Sequence, residues 1–510
     1  MRRPILGIGA TVALLLGGCT VGPDFHAPGW ASPASWFSAT AHRQSAAFVP
    51  SRPVAAPIDP DWWGIFHDRQ LTALERRVAG SNLDVRAAAE RVLESRASLG
   101  VAGSAAYPVF NANGSYQREK ASDRGVFSAL VPGGGGTPGS EANGAPGNVA
   151  GGVATPADIP PFDLYQYGFD ASWEPDIWGG VRRSVEAGRA SVEAADWARR
   201  SALVSALAEV ARDYITLRGT QEQLRIARDN LSIAQQSLGL THQRAQAGIS
   251  SDLDVANAAA QVRTVAAQIP ALESQQRELT NALALLLAQP PGTLAAELDV
   301  PRPVPPVPPQ VPVGVPSELL RRRPDIRQAE AQLHVETANV GVATADFYPS
   351  ITLSASFGFQ ALQFANLFKF DARQYAGGPG ITIPIFEGGK LRYTLQLHQA
   401  AQREAALNFQ RTLLTAWGEV DNALTAFADE QRRRGQLSEA VEQNRRALSL
   451  AQSQYQAGVT DFLQVLDAQR SLLTAEQQLA SSTTAVSTDL VALYKAIGGG
   501  WKGAERNTRS

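Results

Sequence analysis

One turn occurs twice in this chain, and it limits the folds available more than any other feature. Residues 244–262 read RAQAGISSDLDVANAAAQV and residues 454–470 read QYQAGVTDFLQVLDAQR, so Gln246-Ala247-Gly248 and Gln456-Ala457-Gly458 lie 210 positions apart. In each copy a long helical pattern ends at glycine, a Ser or Thr follows, and a second helical pattern begins. Glycine supplies the left-handed conformation that ends a helix, and Ser250, Ser251, Thr460 or Asp461 can cap the next one. Each copy therefore predicts the tip of an antiparallel helical hairpin.

The correspondence reaches beyond the tips. Leu203, Leu207, Val210, Tyr214 and Leu217 keep the same spacing as Leu413, Trp417, Val420, Leu424 and Phe427. After the turn, Leu253, Val255, Leu283 and Leu287 match Leu463, Val465, Leu493 and Ile497. The chain reads as an internal duplication, and the stripes suit laterally packed helices.

The N-terminus sets the compartment. Arg2 and Arg3, an apolar run from Ile5 to Leu16, and Leu16-Gly17-Gly18-Cys19 resemble a lipoprotein signal peptide with its lipobox. Cys19 is the only cysteine, so a mature chain beginning at lipidated Cys19 has no thiol for disulfide, zinc or nucleophile chemistry. Several acyl chains on one residue anchor stably, and Thr20 after Cys19 resembles routing to the outer membrane. A net charge of −2 gives no reason to expect a nucleic-acid partner. Beyond the signal peptide no apolar run is long enough for a spanning helix.

Between the helical stretches the period changes to two. Phe110, Ala112, Gly114 and Tyr116 alternate with polar residues, as do Tyr165, Tyr167, Phe169, Ala171 and Trp173. After Tyr348-Pro349, which matches Tyr107-Pro108, the pattern returns in Ile351, Leu353, Ala355, Phe357 and Phe359, and then in Tyr375, Ile381, Ile383 and Ile385. These are four strands with one apolar and one polar face. Their length and aromatic ends suit transmembrane strands. Four strands cannot close a barrel, and an open edge cannot sit in lipid, so membrane strands require an oligomer that shares one barrel.

The helix lengths fit the same scheme. Residues 181–247 make a helix of ~100 Å, the return helix from Ser251 to Ala288 covers ~57 Å, and Ser317 to Ala345 adds ~45 Å. In the second half a long helix from Gly388 to Ala457 faces a short one from Asp461 to Ile497, and a helix from Leu71 to Ala102 supplies the missing piece. Such staves are about three times the thickness of a bilayer, so they must project through an aqueous compartment. The expected fold is thus mostly α with membrane β: a long helical barrel plus four transmembrane strands per chain. The expected divisions are a signal peptide (1–18), a lipid-anchored extended arm (19–60), a first repeat (61–290), a Pro-rich connector (291–316), a second repeat (317–501) and a polar tail (502–510). The first repeat holds strands near 107–118 and 164–174 and the tip near 248; the second holds strands near 350–360 and 374–386 and the tip near 458. A Gly/Pro-rich loop including Pro132–Gly136 lengthens the first strand hairpin. The connector reads as a spacer. The run from Glu430 to Arg434 reads as a solvated face or as a belt against the arm and connector.

Six segments carry a resemblance. They are Cys19-Thr20-Val21-Gly22-Pro23-Asp24-Phe25, Asp61-Trp62-Trp63-Gly64-Ile65-Phe66, Leu319-Leu320-Arg321-Arg322-Arg323-Pro324-Asp325-Ile326, Ala345-Asp346-Phe347-Tyr348-Pro349-Ser350, Ile383-Pro384-Ile385-Phe386-Glu387-Gly388-Gly389 and Leu493 through Trp501. In this order the chain resembles the TolC-like outer membrane factors, in their NodT/OprM-type lipoprotein branch. The resemblance implies a homotrimer with twelve strands in one barrel, and a passive duct in the outer membrane. It implies a periplasmic adaptor (membrane fusion) protein and an inner-membrane RND-type pump as partners, with drugs, solvents, dyes or metal ions as cargo.

It also points to residues. The docking tips comprise Arg244, Gln246, Gly248 and Ser250 with Tyr455, Gln456, Gly458 and Thr460. The family's Arg-Tyr pair before the glycine is split here: the first copy has Arg244-Ala245, the second Gln454-Tyr455. The periplasmic gate maps to Leu463, Gln464 and Asp467; equally, Leu463 reads as coiled-coil core and Asp467 as a solvated carboxylate. No enzyme and no cofactor or metal are expected. The histidines are scattered, no nucleophile elbow or P-loop occurs, and Asp252 with Asp254 reads as a helix cap and first-turn charge. Two alternatives stand beside the efflux duct: the same architecture serving type I protein or peptide secretion, and a periplasmic coiled-coil lipoprotein without a pore.

Overall fold

A computed structural model of the chain describes residues 20–29, 33, 36, 51–120 and 161–502. The signal peptide, Cys19, much of the arm, the loop around Pro132–Gly136 and residues 503–510 lie outside the described residues. In chain order the elements are β1 (Arg52–Val54), α1 (Arg69–Ser81), α2 (Leu83–Ser104), β2 (Val109–Glu119), β3 (Phe162–Trp173), α3 (Gly180–Gln246), α4 (Asp252–Leu286), α5 (Ala295–Leu298), β4 (Gln310–Pro312), α6 (Leu319–Arg322), α7 (Pro324–Ala345), β5 (Ser350–Ala361), β6 (Arg373–Thr382), α8 (Lys390–Gln456) and α9 (Phe462–Ala496). They fall into two compact units.

One unit, built on residues 100–185 and 340–396, holds the long strands. They form an antiparallel sheet in the order β2-β3-β5-β6. Its register aligns the alternation of every strand. Ala112 faces Phe169, which faces Phe357, which faces Tyr375; Tyr116 faces Tyr165, and Gly114 faces Tyr167, which faces Phe359. One face of the sheet is therefore apolar across all four strands. The other carries Asn111, Asp170 and Ser356 in one row, with Asn111 and Asn113 both donating to the Asp170 carboxylate. On this polar face Gly168 lies directly opposite Gly358. A Cβ at Gly358 would sit 2.6 Å from the Tyr167 carbonyl oxygen, so the two backbones approach too closely for a side chain. β6 stops at Thr382 rather than continuing to 386, because Thr382 lies opposite Ser350, the first residue of its partner β5.

The segment after Cys19 is fixed to the same unit. The Val21 amide donates to the Trp178 carbonyl (3.1 Å), and the Arg183 guanidinium donates to the carbonyls of Val21 and Gly22. A Cβ on Gly22 would fall 2.5 Å from the Gly341 Cα. Trp178 stacks on Tyr348 at 4.8 Å and donates to the Pro349 carbonyl.

The other unit, residues 24–99, 186–339 and 397–510, is helical apart from one small sheet. Its core is the predicted stripe: Leu203, Leu207, Val210, Tyr214 and Leu217 on α3 pack with Leu413, Val420, Leu424 and Phe427 on α8 and with Leu490, Leu493 and Ile497. Trp62 stacks on Tyr494 at 5.3 Å and fills the space beside Gly499 and Gly500. The long helices α3 and α8 each have 67 residues, and the return helices α4 and α9 each have 35.

Three expectations change in this unit. The single helix expected from Leu71 to Ala102 is two, α1 and α2. The Asn82 side chain accepts from the amides of Asp84 and Val85 and donates to the Leu286 carbonyl, so it starts a new helix where the apolar period shows no break. The helix expected from Ser317 to Ala345 divides at Arg323, which is extended ahead of Pro324. The Pro-rich connector is more than a spacer: it contains α5, and β4 pairs in parallel with β1 of the arm. Gln431 of α8 is buried and clasps Ser51, accepting from its amide and donating to its carbonyl, so one residue of the 430–434 run does form a belt. Arg432 and Arg433 pair within their own helix and stay on its exposed side.

On α9, burial and the neighbouring Glu430 carboxylate push Asp489 up to about 6. The folded chain therefore holds a proton that the unfolded chain releases at lower pH. Stability is greatest below the unfolded carboxylate range and falls as pH rises toward 6. We expect Asp489→Asn to melt above the parent at pH ~7.5 and at the same temperature near pH ~4; equal midpoints at both pH values would remove this linkage. In the sheet, Gly358→Ala should cost about 1–3 kcal/mol in a strand-monitored melt of the reconstituted protein. Gly378→Ala, with nothing within 4 Å of its Cβ, should leave the midpoint unchanged, and equal effects of the two would contradict the close approach.

Candidate functional site

Both turns are built alike. Gly248 and Gly458 each have φ +75°, and each closes a Schellman motif, Ile249 donating to Arg244 and Val459 to Gln454 across the end of the preceding helix (both 2.9 Å). The next helix begins at a capping box in the first hairpin, formed by Ser251 and Asp254, and at Asp461 in the second. Partial burial raises the Asp254 carboxyl, but hydrogen bonds from the Ser251 amide, the Ser251 hydroxyl and the Ser250 hydroxyl together hold it below its ordinary value. Ser251 is the cap, and Asp254 is a first-turn acid that completes its capping box.

The two hairpins meet through the residues that the sequence had split. Arg244 of α3 places its guanidinium 4.6 Å over the Tyr455 ring of α8. It also donates to the carbonyls of Tyr455 (3.0 Å) and Gln456 (3.3 Å), which lie at the open C-terminal end of α8. A cation there adds a second donor to the Tyr455 carbonyl, which also accepts from the Gly458 amide, and meets the negative end of the helix dipole. Tyr455 is buried, packs edge-on against Phe462 and brings its hydroxyl within 3.4 Å of Ser250. Arginine from one copy and tyrosine from the other thus form one contact between hairpins.

The remaining tip residues stay free of the core. Gln246, Gly248, Gln456 and Gly458 are exposed, while Ser250 and Thr460 are half-buried. Leu463, Gln464 and Asp467 are exposed on one side of α9, whereas Phe462, Val465, Leu466 and Gln469 face inward. At 50% exposure Leu463 is not core of its own chain. The sequence reading passed over Ile249 and Val459, which occupy matched positions after the two glycines and are 66% and 75% exposed. The signal was available: an apolar residue follows the glycine in both copies.

Above the tips the seams between hairpins combine small apolar clusters, such as Ile226 and Val265 with Leu473, with polar contacts. Gln469 donates to Ser237, Arg470 to Gln261 and Gln477 to Gln268, while Glu476 accepts from Asn230 and Arg445. A cavity of ≈ 270 Å³ lies between α3, α8 and α9 beside Tyr455 and Phe462. Exchangeable hydrogen bonds and free volume let helices shift past one another at less cost than a close-packed apolar seam would. Among the described residues no cluster of side chains could hold a metal ion, and no helix is long and apolar enough to cross a membrane.

Comparison with known proteins places this geometry. The family model described as outer membrane efflux protein matches residues 75–289 and 315–499. The chain is 35% identical to the pyoverdine export outer membrane protein OpmQ of Pseudomonas putida, over 94% of each chain. It is 30% identical to the toluene efflux pump outer membrane protein TtgI of Pseudomonas putida, covering 96% of this chain and 97% of that one. Among solved structures, the outer-membrane channel OprN superposes with a TM-score of 0.82 at 33% identity, over 95% of this chain and all of that one.

The Arg244 contact should hold the tips together. Its cation–π and charge-assisted hydrogen bonds contribute about 2 kcal/mol, or roughly 30-fold in the ratio of joined to parted tips. Spin labels on Gln246→Cys and Gln456→Cys should report a longer-distance population when Arg244→Gln is added. Unchanged distances would show that the contact does not hold the hairpins.

Proposed function

We infer the role of this chain from one premise: it belongs to the outer membrane efflux protein family. It is an outer-membrane component of an efflux system, and we propose that it forms the passive exit duct of a tripartite pump. The observation that carries this reading is the sheet. Its apolar face is continuous over four strands, while β2 and β6 each leave one edge without a partner among the described residues. Such a face suits lipid, but a bilayer does not tolerate unpaired backbone edges. Three copies would join β6 of one to β2 of the next, and three sheets of four strands make a barrel of twelve, within the range of outer-membrane barrels. The equal lengths of α3 and α8, and of α4 and α9, support an internal duplication supplying matched staves to a periplasmic tunnel. Cys19, as a lipidated first residue, would anchor the same membrane.

In this reading the tips are the closing end. Leu463, Gln464 and Asp467, free in a single chain, would meet their symmetry copies around the axis as an apolar ring and an acidic ring. Parting the hairpins at Arg244–Tyr455 would open them. The exposed apolar residues Ile249 and Val459, with Gln246 and Gln456 beside them, suit docking to a periplasmic adaptor that links the duct to an inner-membrane RND-type pump. The cargo would be small molecules, as the relatives named for pyoverdine and toluene suggest. The chain needs no catalytic residues for this role.

The test is electrical and physical on one sample. Purified protein should have the mass of three chains and give small, gated conductance in planar bilayers. Leu463→Ser with Asp467→Ser should raise that conductance several-fold. A monomer without conductance would sink the shared barrel, and a trimer whose conductance ignores both substitutions would move the gate elsewhere.

A further inference from the structure

The end of the sheet away from the helices carries a rim that insertion into a bilayer does not by itself require. We propose that this rim binds the phosphorylated headgroup of an outer-leaflet lipid, with the acyl region against its aromatic side chains. The inference rests on the outer-membrane reading of the sheet.

The connection between β5 and β6, residues 362–372, makes two short 3-10 turns. It folds back over the apolar face. The Phe364 ring lies 5.6 Å from Tyr165, and the Phe368 ring lies 5.6 Å from Tyr167 and 5.7 Å from Phe364. These contacts do not bury it: Leu362, Phe364, Phe368 and Phe370 are 61%, 59%, 66% and 70% exposed. A connection bathed in water gains nothing from four large apolar side chains turned outward, whereas a lipid interface does.

Cations stand beside this aromatic wedge. The register puts Arg118 opposite Asp163 and Arg373 opposite Phe359, on the same outward face as Tyr116, Tyr165 and Tyr167. The Arg373 guanidinium lies 3.9 Å over the Phe370 ring and donates to the Phe370 carbonyl. Lys369 is exposed between Phe368 and Phe370. Against Arg118, Lys120, Lys369 and Arg373 stand three acids: Glu119, Asp163, 3.6 Å from Arg118, and Asp371. Among the described residues the rim is net basic, and it rises directly from aromatic side chains. That pairing of rings at acyl depth with basic groups at headgroup depth fits an anionic phospholipid or phosphoglycolipid. A neighbouring protein copy fits less well. The wedge packs on β3, whereas a second copy would join at β6 or β2, the sheet's outer strands.

The experiment uses the full-length protein reconstituted into phosphatidylcholine vesicles containing a minor fraction of bisphosphorylated lipid A. A parallel set contains the dephosphorylated glycolipid. Flotation first establishes insertion. The protein is then extracted in mild detergent, and the ratio of glycolipid to phosphatidylcholine retained is measured. The parent should retain the bisphosphorylated form above its share of the vesicle and the dephosphorylated form at its share. Lys369→Gln with Arg373→Gln should insert normally and lower that enrichment by roughly fivefold for each cation removed. Phe364→Ser with Phe368→Ser and Phe370→Ser should lower the total lipid retained per chain, phosphatidylcholine and both glycolipids alike. Enrichment unchanged by the charge substitutions would overturn the proposal. So would their converting the trimer to single chains at constant enrichment, which would assign the rim to contacts between copies. Failure of the parent itself to insert would instead overturn the membrane reading beneath it.

Discussion

A backbone amide or carbonyl without a partner is costly in hydrocarbon, and that cost organises this molecule. The sheet β2-β3-β5-β6 satisfies its interior ladders and presents one apolar face, yet among the described residues it ends on two open edges. Everything that makes the chain useful follows from how those edges are paired. In the proposed barrel, closing them with further copies would turn a four-stranded ribbon into a pore, place the polar row of Asn111, Asp170 and Ser356 on the inner wall, and leave the aromatic rows to lipid. The facing pair Gly168 and Gly358 is consistent with a sheet bent tightly around that inner wall.

The helical unit solves a different problem. Its main apolar core runs from Trp62 and Tyr494 to Leu207 and Phe427. Toward the tips, smaller apolar clusters such as Ile226, Val265 and Leu473 alternate with hydrogen bonds between glutamines, serines and charged groups. Arg244 and Tyr455 join the two hairpins at their tips. One is contributed by each hairpin, and their contact uses the last carbonyls of α8 as well as the tyrosine ring. A lone arginine or a lone tyrosine in either hairpin would have no such partner.

Much of this was legible because it is periodic. Alternation located the strands to within a few residues, since a period of two places every other side chain on one face whatever the partner strand. The stripes on α3 and α8, and the glycines at both tips, were read from spacing and φ preference. Where the sequence reading failed, the determinant was not periodic. Asn82 breaks a helix through its side chain while the apolar pattern continues across it. The pairing of β1 with β4 joins two Pro-rich segments that look like spacers, and only their tertiary meeting, secured by Gln431, reveals strands. The meeting of Arg244 with Tyr455 could not be read at all from either copy of the turn, because each copy lacks half of it. The gate positions Leu463, Gln464 and Asp467 came from resemblance, and one chain alone leaves them simply exposed.

The most direct test of the shared barrel is covalent. Cysteines introduced along the two outer strands, at Asn111 or Ser115 on β2 and at Ala376 or Gly380 on β6, should find one another only between copies. Oxidation of the membrane-embedded protein, with Cys19 as its sole native cysteine, should then give a closed species of three chains on denaturing gels for the pairs in register. Products confined to one or two chains, or an open ladder of higher species, would contradict a barrel closed by three copies.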